Sequence, residues 1–197
     1  SVAYDLDRLR REEFPWAAAG EAVYLNTAST GPLPERTLRA QQEYSRKRAA
    51  PHRLSHEEQF SVLDRCRALL GELLNAEDGT IALSVNTGAG INLAAWGLPL
   101  GAGSVVVIPD LEFPANVYPW MQLARARGVV YRQIPCIDGA VDEERLHREL
   151  EDPAVKAVSV SWVSFATGYT VDLVSLGRAC RRAERTSSSM RSRASER

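Results

Sequence analysis

The stretch Ser104-Val-Val-Val-Ile-Pro-Asp110 decides the fold. It holds four consecutive β-branched residues between a Gly101-Ala-Gly103 turn and a Pro-Asp stop. A short apolar run without polar alternation is the mark of a strand covered on both faces, as in parallel sheets flanked by helices. Reading downstream, 115–127 predicts a helix and Val129 to Ile134 a strand. Asp142 caps a helix through Leu150, Lys156 to Ser161 reads as another strand, and Asp172 opens a last helix. Upstream, Thr80-Ile-Ala-Leu-Ser84 reads as a strand and 88–97 as a helix. Strand and helix in strict alternation predict a three-layer α/β fold, a mainly parallel sheet with helices on both faces.

The ends differ from this middle. Asp5 to Phe14 predicts a short helix stopped by Pro15, and Val23-Tyr-Leu25 a brief extended segment. A helix should start near Pro34, since proline suits a first turn, and stop before Pro51. Ser55-His-Glu-Glu58 is a capping-box pattern. The helix behind it carries Phe60, Leu63, Cys66, Leu69, Leu70, Leu73 and Leu74 at helical spacing, a face expected to pack. The expected organisation is a helical arm over 1–20, the α/β body over 21–184, and an Arg/Ser-rich tail over 185–197. That tail has no Val, Ile, Leu or aromatic residue, so it cannot bury enough apolar area to offset its ordering entropy and is expected to be disordered.

Of the 197 residues, 45% are hydrophobic and 25% charged, which fits a globular chain and excludes a wholly disordered one. No apolar run approaches the ~20 residues of a membrane span, and SVAYDLDRLRREEF offers no apolar core for a secretory signal. The net charge of -1 is unevenly spread. Residues 178–197 hold seven arginines against two acids, so the rest of the chain is acidic and disfavours a nucleic-acid surface. Three cysteines, Cys66, Cys136 and Cys180, without CxxC spacing predict buried structural thiols in a reducing, cytoplasmic setting. His52 and His56 straddle a loop and a helix start, and His147 sits among charged residues on a solvated helix face. Neither arrangement completes a metal-ligand pattern.

Two segments carry chemistry. In Ser84-Val-Asn-Thr-Gly-Ala-Gly-Ile-Asn92 a strand should end, a small-residue loop follow and a helix begin. Such a helix start presents free N–H groups and a positive dipole end to an anion, and Thr87 adds a hydroxyl. A tight turn with no ligand explains the same residues equally well. It is not a Walker loop, since no Gly-Lys-Ser/Thr follows. Asp110-Leu-Glu-Phe-Pro-Ala-Asn-Val-Tyr-Pro-Trp120 lies past the C-terminal end of the central strand, where α/β sheets bind ligands. Phe113, held by Pro114, is placed either to stack on a flat ring or to pack, whereas Tyr118 and Trp120 read as packing residues.

Four segments in order, YLNTASTGPLP (24–34), NTGAGINLAAWGL (86–98), IPDLEFPANVYPW (108–120) and VSWVSFATGYTVDL (160–173), resemble the class V aminotransferase-fold enzymes. That family depends on pyridoxal phosphate (PLP) and includes cysteine desulfurases, selenocysteine lyases, kynureninases and isopenicillin N epimerase-like proteins. The Glu-Phe-Pro-Ala-Asn form looks more like the epimerase and kynureninase branches than the desulfurases. The resemblance implies that Thr87, Gly88 and Ala89 hold the cofactor phosphate, that Phe113 stacks on its ring with Asn116 beside it, and that Asn26, Thr27, Ala28 and Ser29 line the substrate pocket. Phe165 stands where many relatives carry Asn near the ring hydroxyl, and a packing role is expected of it.

The resemblance also implies an amino acid or amine as substrate, a homodimer, and a Schiff-base lysine. Lys47 and Lys156 are the only lysines, and neither stands in the family's lysine motif. The chain therefore reads as the N-terminal portion of a truncated large domain, with no catalytic residue of its own and weak or absent PLP binding. A non-catalytic remnant, and a nucleotide-binding α/β module using Asp110 for a ribose, are the alternatives.

Overall fold

A computed structural model describes residues 4–183 and the backbone of 186–187. The chain divides into two compact units at Cys66.

The N-terminal unit is helical. Helix α1 (Leu6–Glu13) starts at Asp5, whose carboxylate accepts the Arg8 N–H at 2.9 Å. Proline at the first position opens α2 (Pro15–Ala18). Trp16 meets Tyr24 edge to face, with centroids 6.5 Å apart. Glu13 is buried and joins α1 to α3 (Glu35–Arg48): it accepts the Arg36 N–H at 3.0 Å and pairs with the Arg36 guanidinium at 3.0 Å. Val23 and Leu25, expected as a brief extended segment, pair with no strand and are exposed. Ser55 caps α4 (His56–Leu74) as the capping box predicts, its hydroxyl accepting the Glu58 N–H at 3.0 Å. The apolar face of α4 does not pack as expected. Phe60, Leu63, Leu69 and Leu73 are exposed, and none of its residues is buried.

The second unit carries the sheet. Residues 80–84 are not a strand, contrary to the sequence reading. They form no ladder with a neighbour, and a strand exists only through partner backbones. The following elements are α5 (Thr87–Gly97), β1 (Val105–Pro109), α6 (Tyr118–Arg127), β2 (Val130–Ile134), β3 (Cys136–Ile137), β4 (Ala140–Val141), α7 (Glu143–Glu149), β5 (Val155–Val158), α8 (Leu173–Arg182) and β6 (Thr186–Ser187). The sheet order is β2-β1-β5-β6, all parallel, with β1 central. Strand β1 is buried at every position, which is why its sequence shows no alternation. Val105 and Val107 face a core with Leu146, Leu150, Leu176 and Cys180 from the α7–α8 side. Val106 and Ile108 face one with Ala95, Trp120 and Leu123 from the α5–α6 side. These are the three layers the alternation predicts.

Asp142 and Asp172 cap α7 and α8, each accepting an N–H three residues on. His147 is not on a solvated face: it is half-buried, with Nε2 3.4 Å from the Ser175 hydroxyl of α8. The β3–β4 hairpin turns on Asp138 and Gly139, both with positive φ, as a tight two-residue turn of its twist requires. A Cβ on Gly139 would fall 2.8 Å from Thr167 Cγ2, so only glycine allows the loop after β5 this close. The tail expected to be disordered from Arg185 contributes the two residues of β6, paired with Ala157 and Val158. The remainder of that tail lies outside the described residues. None of the helices among the described residues is long and apolar enough to cross a membrane.

Candidate active site

All strands of the main sheet point the same way, so the segments that follow them gather at one edge. Sheet order sets the neighbours: the segment after β1 runs between those after β2 and β5. Each side is tied to it by a side chain. Asp110 Oδ1 accepts the Cys136 N–H at 2.9 Å on the β2 side. On the β5 side, Glu112 Oε1 accepts the Ser161 N–H at 2.5 Å and Oε2 accepts the Ser161 hydroxyl at 2.6 Å. Asn116, only 6% exposed, accepts a hydrogen bond from the fully buried Ser159 hydroxyl. Between the last two ties stands Phe113, followed by a 3-10 turn at Pro114–Asn116. Its ring meets Phe165 edge to face, with centroids 5.2 Å apart at 81°. Trp120 is fully buried, as packing predicts, while Tyr118 is exposed.

The start of α5 reaches the same edge. A Cβ built on Gly88 would lie 4.0 Å from the Cβ of Ala115, so the helix start and the aromatic-bearing turn adjoin. Asn86, which the sequence reading did not single out, is the N-cap: its Oδ1 accepts the Ala89 N–H at 2.8 Å. Asn at a helix start before a small-residue run is the signal that marks it. The Ala89 N–H is thus engaged, whereas Thr87 and Gly88 occupy the first two helical positions, which have no intrahelical acceptor. Thr87, Gly88, Ala89, Phe113 and Asn116 therefore come together at one edge. Asn26 to Ser29 belong to the other unit, where Asn26 O closes a turn by accepting the N–H groups of Ser29 and Thr30, both at 3.2 Å, and the Tyr24 hydroxyl at 3.0 Å.

A small cleft beside Phe165 is lined by Leu111, Glu112, Cys136, Ser161 and Tyr169. Burial pushes the Cys136 thiol above its ordinary range, with a further push from Asp110, so the group is held neutral. Burial, reinforced by the Glu112 charge, raises the Tyr131 phenol in the same way. Tyr169 donates to Glu143 Oε1 at 2.7 Å, and that bond raises its phenol too. Asp110, a ribose acceptor in the nucleotide alternative, is engaged by the Cys136 N–H. Cys66 is exposed, against the expectation of buried thiols. Cys136 is half-buried and Cys180 buried.

A phosphate and a flat ring fit this edge: two N–H groups at a helix start, a hydroxyl at Thr87, an absent side chain at Gly88 and an aromatic face at Phe113. Within this unit, Lys156 does not join them. Lys156 is exposed in the N-terminal half of β5, before the strand end where the edge lies. Lys47, in the N-terminal unit, is paired with Glu58 and lies 3.7 Å from Glu43, and these partners raise its ammonium above the ordinary range.

The family described as Aminotransferase class-V matches residues 23–186. A probable cysteine desulfurase of Methanothermobacter thermautotrophicus is 32% identical over 163 residues, which is 79% of this chain and 40% of that protein. The cysteine desulfurase of Haloferax volcanii is 35% identical over 164 residues, covering 78% and 38%. These names contrast with the epimerase-like leaning of the Glu-Phe-Pro-Ala-Asn segment. Among solved structures, the cysteine desulfurase CsdA of Escherichia coli superimposes with a TM-score of 0.77 at 26% identity, over 95% of this chain and 48% of that one. The chain thus spans less than half the length of each of these proteins. With the motifs in order, the sheet edge assembled and the match running through nearly the whole chain, this protein belongs to the class V aminotransferase family.

Proposed function

We propose that the edge formed by the start of α5 and residues 112–116 is the phosphate-and-ring half of a PLP site, in an enzyme acting on an amino acid or amine. The approach of Gly88 to Ala115 supports this reading, because it brings a helix start, whose first N–H groups have no intrahelical acceptor, next to the turn that carries Phe113. The N–H groups of Thr87 and Gly88 and the Thr87 hydroxyl bind the phosphate, and Ala89 keeps its N–H on the Asn86 cap. Phe113 lies against the ring, and Asn116 holds the turn from below through Ser159. When bound, PLP supplies the electron sink for chemistry at the amino-acid Cα. The relatives' names make cysteine the first substrate to test.

Binding by this chain alone is weak. The helix end contributes roughly 0.3–1 kcal/mol, up to ~2 when partly buried. Stacking on Phe113 adds about 0.5–1.5 kcal/mol. Micromolar affinity takes about 8 kcal/mol. The test is a 31P titration of PLP with the chain, then borohydride reduction and mapping of modified lysines. A shifted phosphorus resonance that Thr87→Asp abolishes, with slow labelling spread over several amines, is the expected result. An unshifted resonance overturns the site. Stoichiometric labelling of Lys47 or Lys156, lost in Phe113→Ala, overturns the absence of covalent capture.

We also infer a homodimer, supported by the uncovered Phe60, Leu63, Leu69 and Leu73 of α4. Light scattering should show the mass rising with concentration, and a constant monomer mass would contradict this.

A further inference from the structure

We infer that Glu112 is a positioning residue: its carboxylate clamps the loop after β1 to the segment after β5 and thereby sets the plane of the Phe113 ring. The inference rests on reading Phe113 as the residue that faces the cofactor ring.

Both oxygens of Glu112 are used, and both on Ser161, 49 positions away in sequence. A carboxylate held at two oxygens cannot turn about its last bond, and its 2.6 Å contact with the Ser161 hydroxyl is in the short range of charge-assisted O–H···O bonds. Phe113 is the next residue. Three positions beyond it, Asn116 is tied to Ser159. The backbone of Phe113 is therefore fixed on both sides to the same stretch, 159–161.

The ring needs that support. Phe113 is 51% exposed and Phe165 64%, so burial alone does not lock their edge-to-face pair. Phe165 follows Ser161 by four residues and Phe113 follows Glu112 by one, so a single clamp joins the backbones that carry the two rings. Asp110 fixes the same loop on its other side, to Cys136, which leaves Glu112 as the tie nearest Phe113.

The test uses the full chain with labelled phenylalanine rings, of which there are four, Phe14, Phe60, Phe113 and Phe165. Without ligand, ring protons of the Phe113–Phe165 pair should be shifted upfield by the facing ring. Glu112→Ala should remove that shift. Glu112→Gln should restore most of it, because its amide oxygen accepts the Ser161 N–H while its NH2 donates to the Ser161 hydroxyl. Slow amide exchange at Val106 and Val107 checks that the sheet is intact. Should Glu112→Ala not fold, Ser161→Ala removes one of the two ties and should reduce the shift.

Pyridoxine 5′-phosphate, which has no aldehyde to capture a lysine, then probes the site. Its pyridine proton should move upfield on the wild-type chain and not on Glu112→Ala, while its phosphorus shift survives in both. A ring-pair shift unchanged in folded Glu112→Ala, or in Ser161→Ala where the first does not fold, overturns the positioning role. A wild-type chain that leaves the probe unshifted overturns the cofactor reading, and the unliganded ring shifts still decide whether Glu112 holds the pair.

Discussion

The Asn116 side chain accepts a hydrogen bond from Ser159 across the step from the end of β1 to the end of β5, and both residues are buried. Removing the donor leaves a buried amide oxygen unpaired, which costs about 1–3 kcal/mol. Ser159→Ala should therefore lower stability in a urea melt by that amount. Loss at the low end, together with an unchanged Phe113–Phe165 ring shift, would mean that water replaces the hydroxyl.

Asn86 separates helix stability from anion binding. Asn86→Ala removes the cap of α5 and should cost about 1 kcal/mol, within the usual 0.5–2. Asn86→Asp keeps an accepting oxygen for the Ala89 N–H but adds a negative charge at the phosphate position. It should melt like the wild type and lose the 31P shift of PLP. An Asp variant that binds as well as the wild type would move the anion site elsewhere.

Stability of the N-terminal unit should fall in acid through Glu13. The Arg36 N–H bond, aided by the Arg36 charge, holds the Glu13 carboxyl below its ordinary range. A group whose pKa is depressed on folding contributes stability above its unfolded pKa and loses it as pH falls through the folded one. Below the ordinary carboxylate range, Glu13→Gln and the wild type should converge in stability, and at neutral pH the wild type should be the more stable. A constant difference across that range would show that the ionised carboxylate contributes nothing.

The three thiols should react in the order Cys66, Cys136, Cys180. Exposure ranks them, and burial holds the Cys136 thiol neutral at neutral pH. Timed alkylation with mass spectrometry reads the order directly. Fast modification of Cys136 at neutral pH would contradict its raised thiol and point to an opening of the β3–β4 hairpin.

Much of the α/β frame was legible because its signals are local. The β-branched run Val105 to Ile108 needs no knowledge of its partners to read as a doubly covered strand. Ser55, Asp142 and Asp172 cap their helices with bonds to residues three positions away. Motif order likewise suggested that Thr87, Gly88 and Phe113 lie near one another, but through a strand over 80–84 that does not form; the approach of Gly88 to Ala115 brings the two segments together instead.

The sequence by itself determined which segments become helix or strand wherever the deciding bonds span a few residues, and it determined the family. Tertiary structure alone decided the rest. Thr80 to Ser84 has strand composition and no strand neighbour, and α4 has an apolar face left exposed. Both outcomes depend on what lies alongside, and local composition does not carry that information. The site's working geometry is of the same kind. Glu112 finds Ser161 over 49 positions and Asn116 finds Ser159 over 43, contacts that exist only once β1 and β5 are paired.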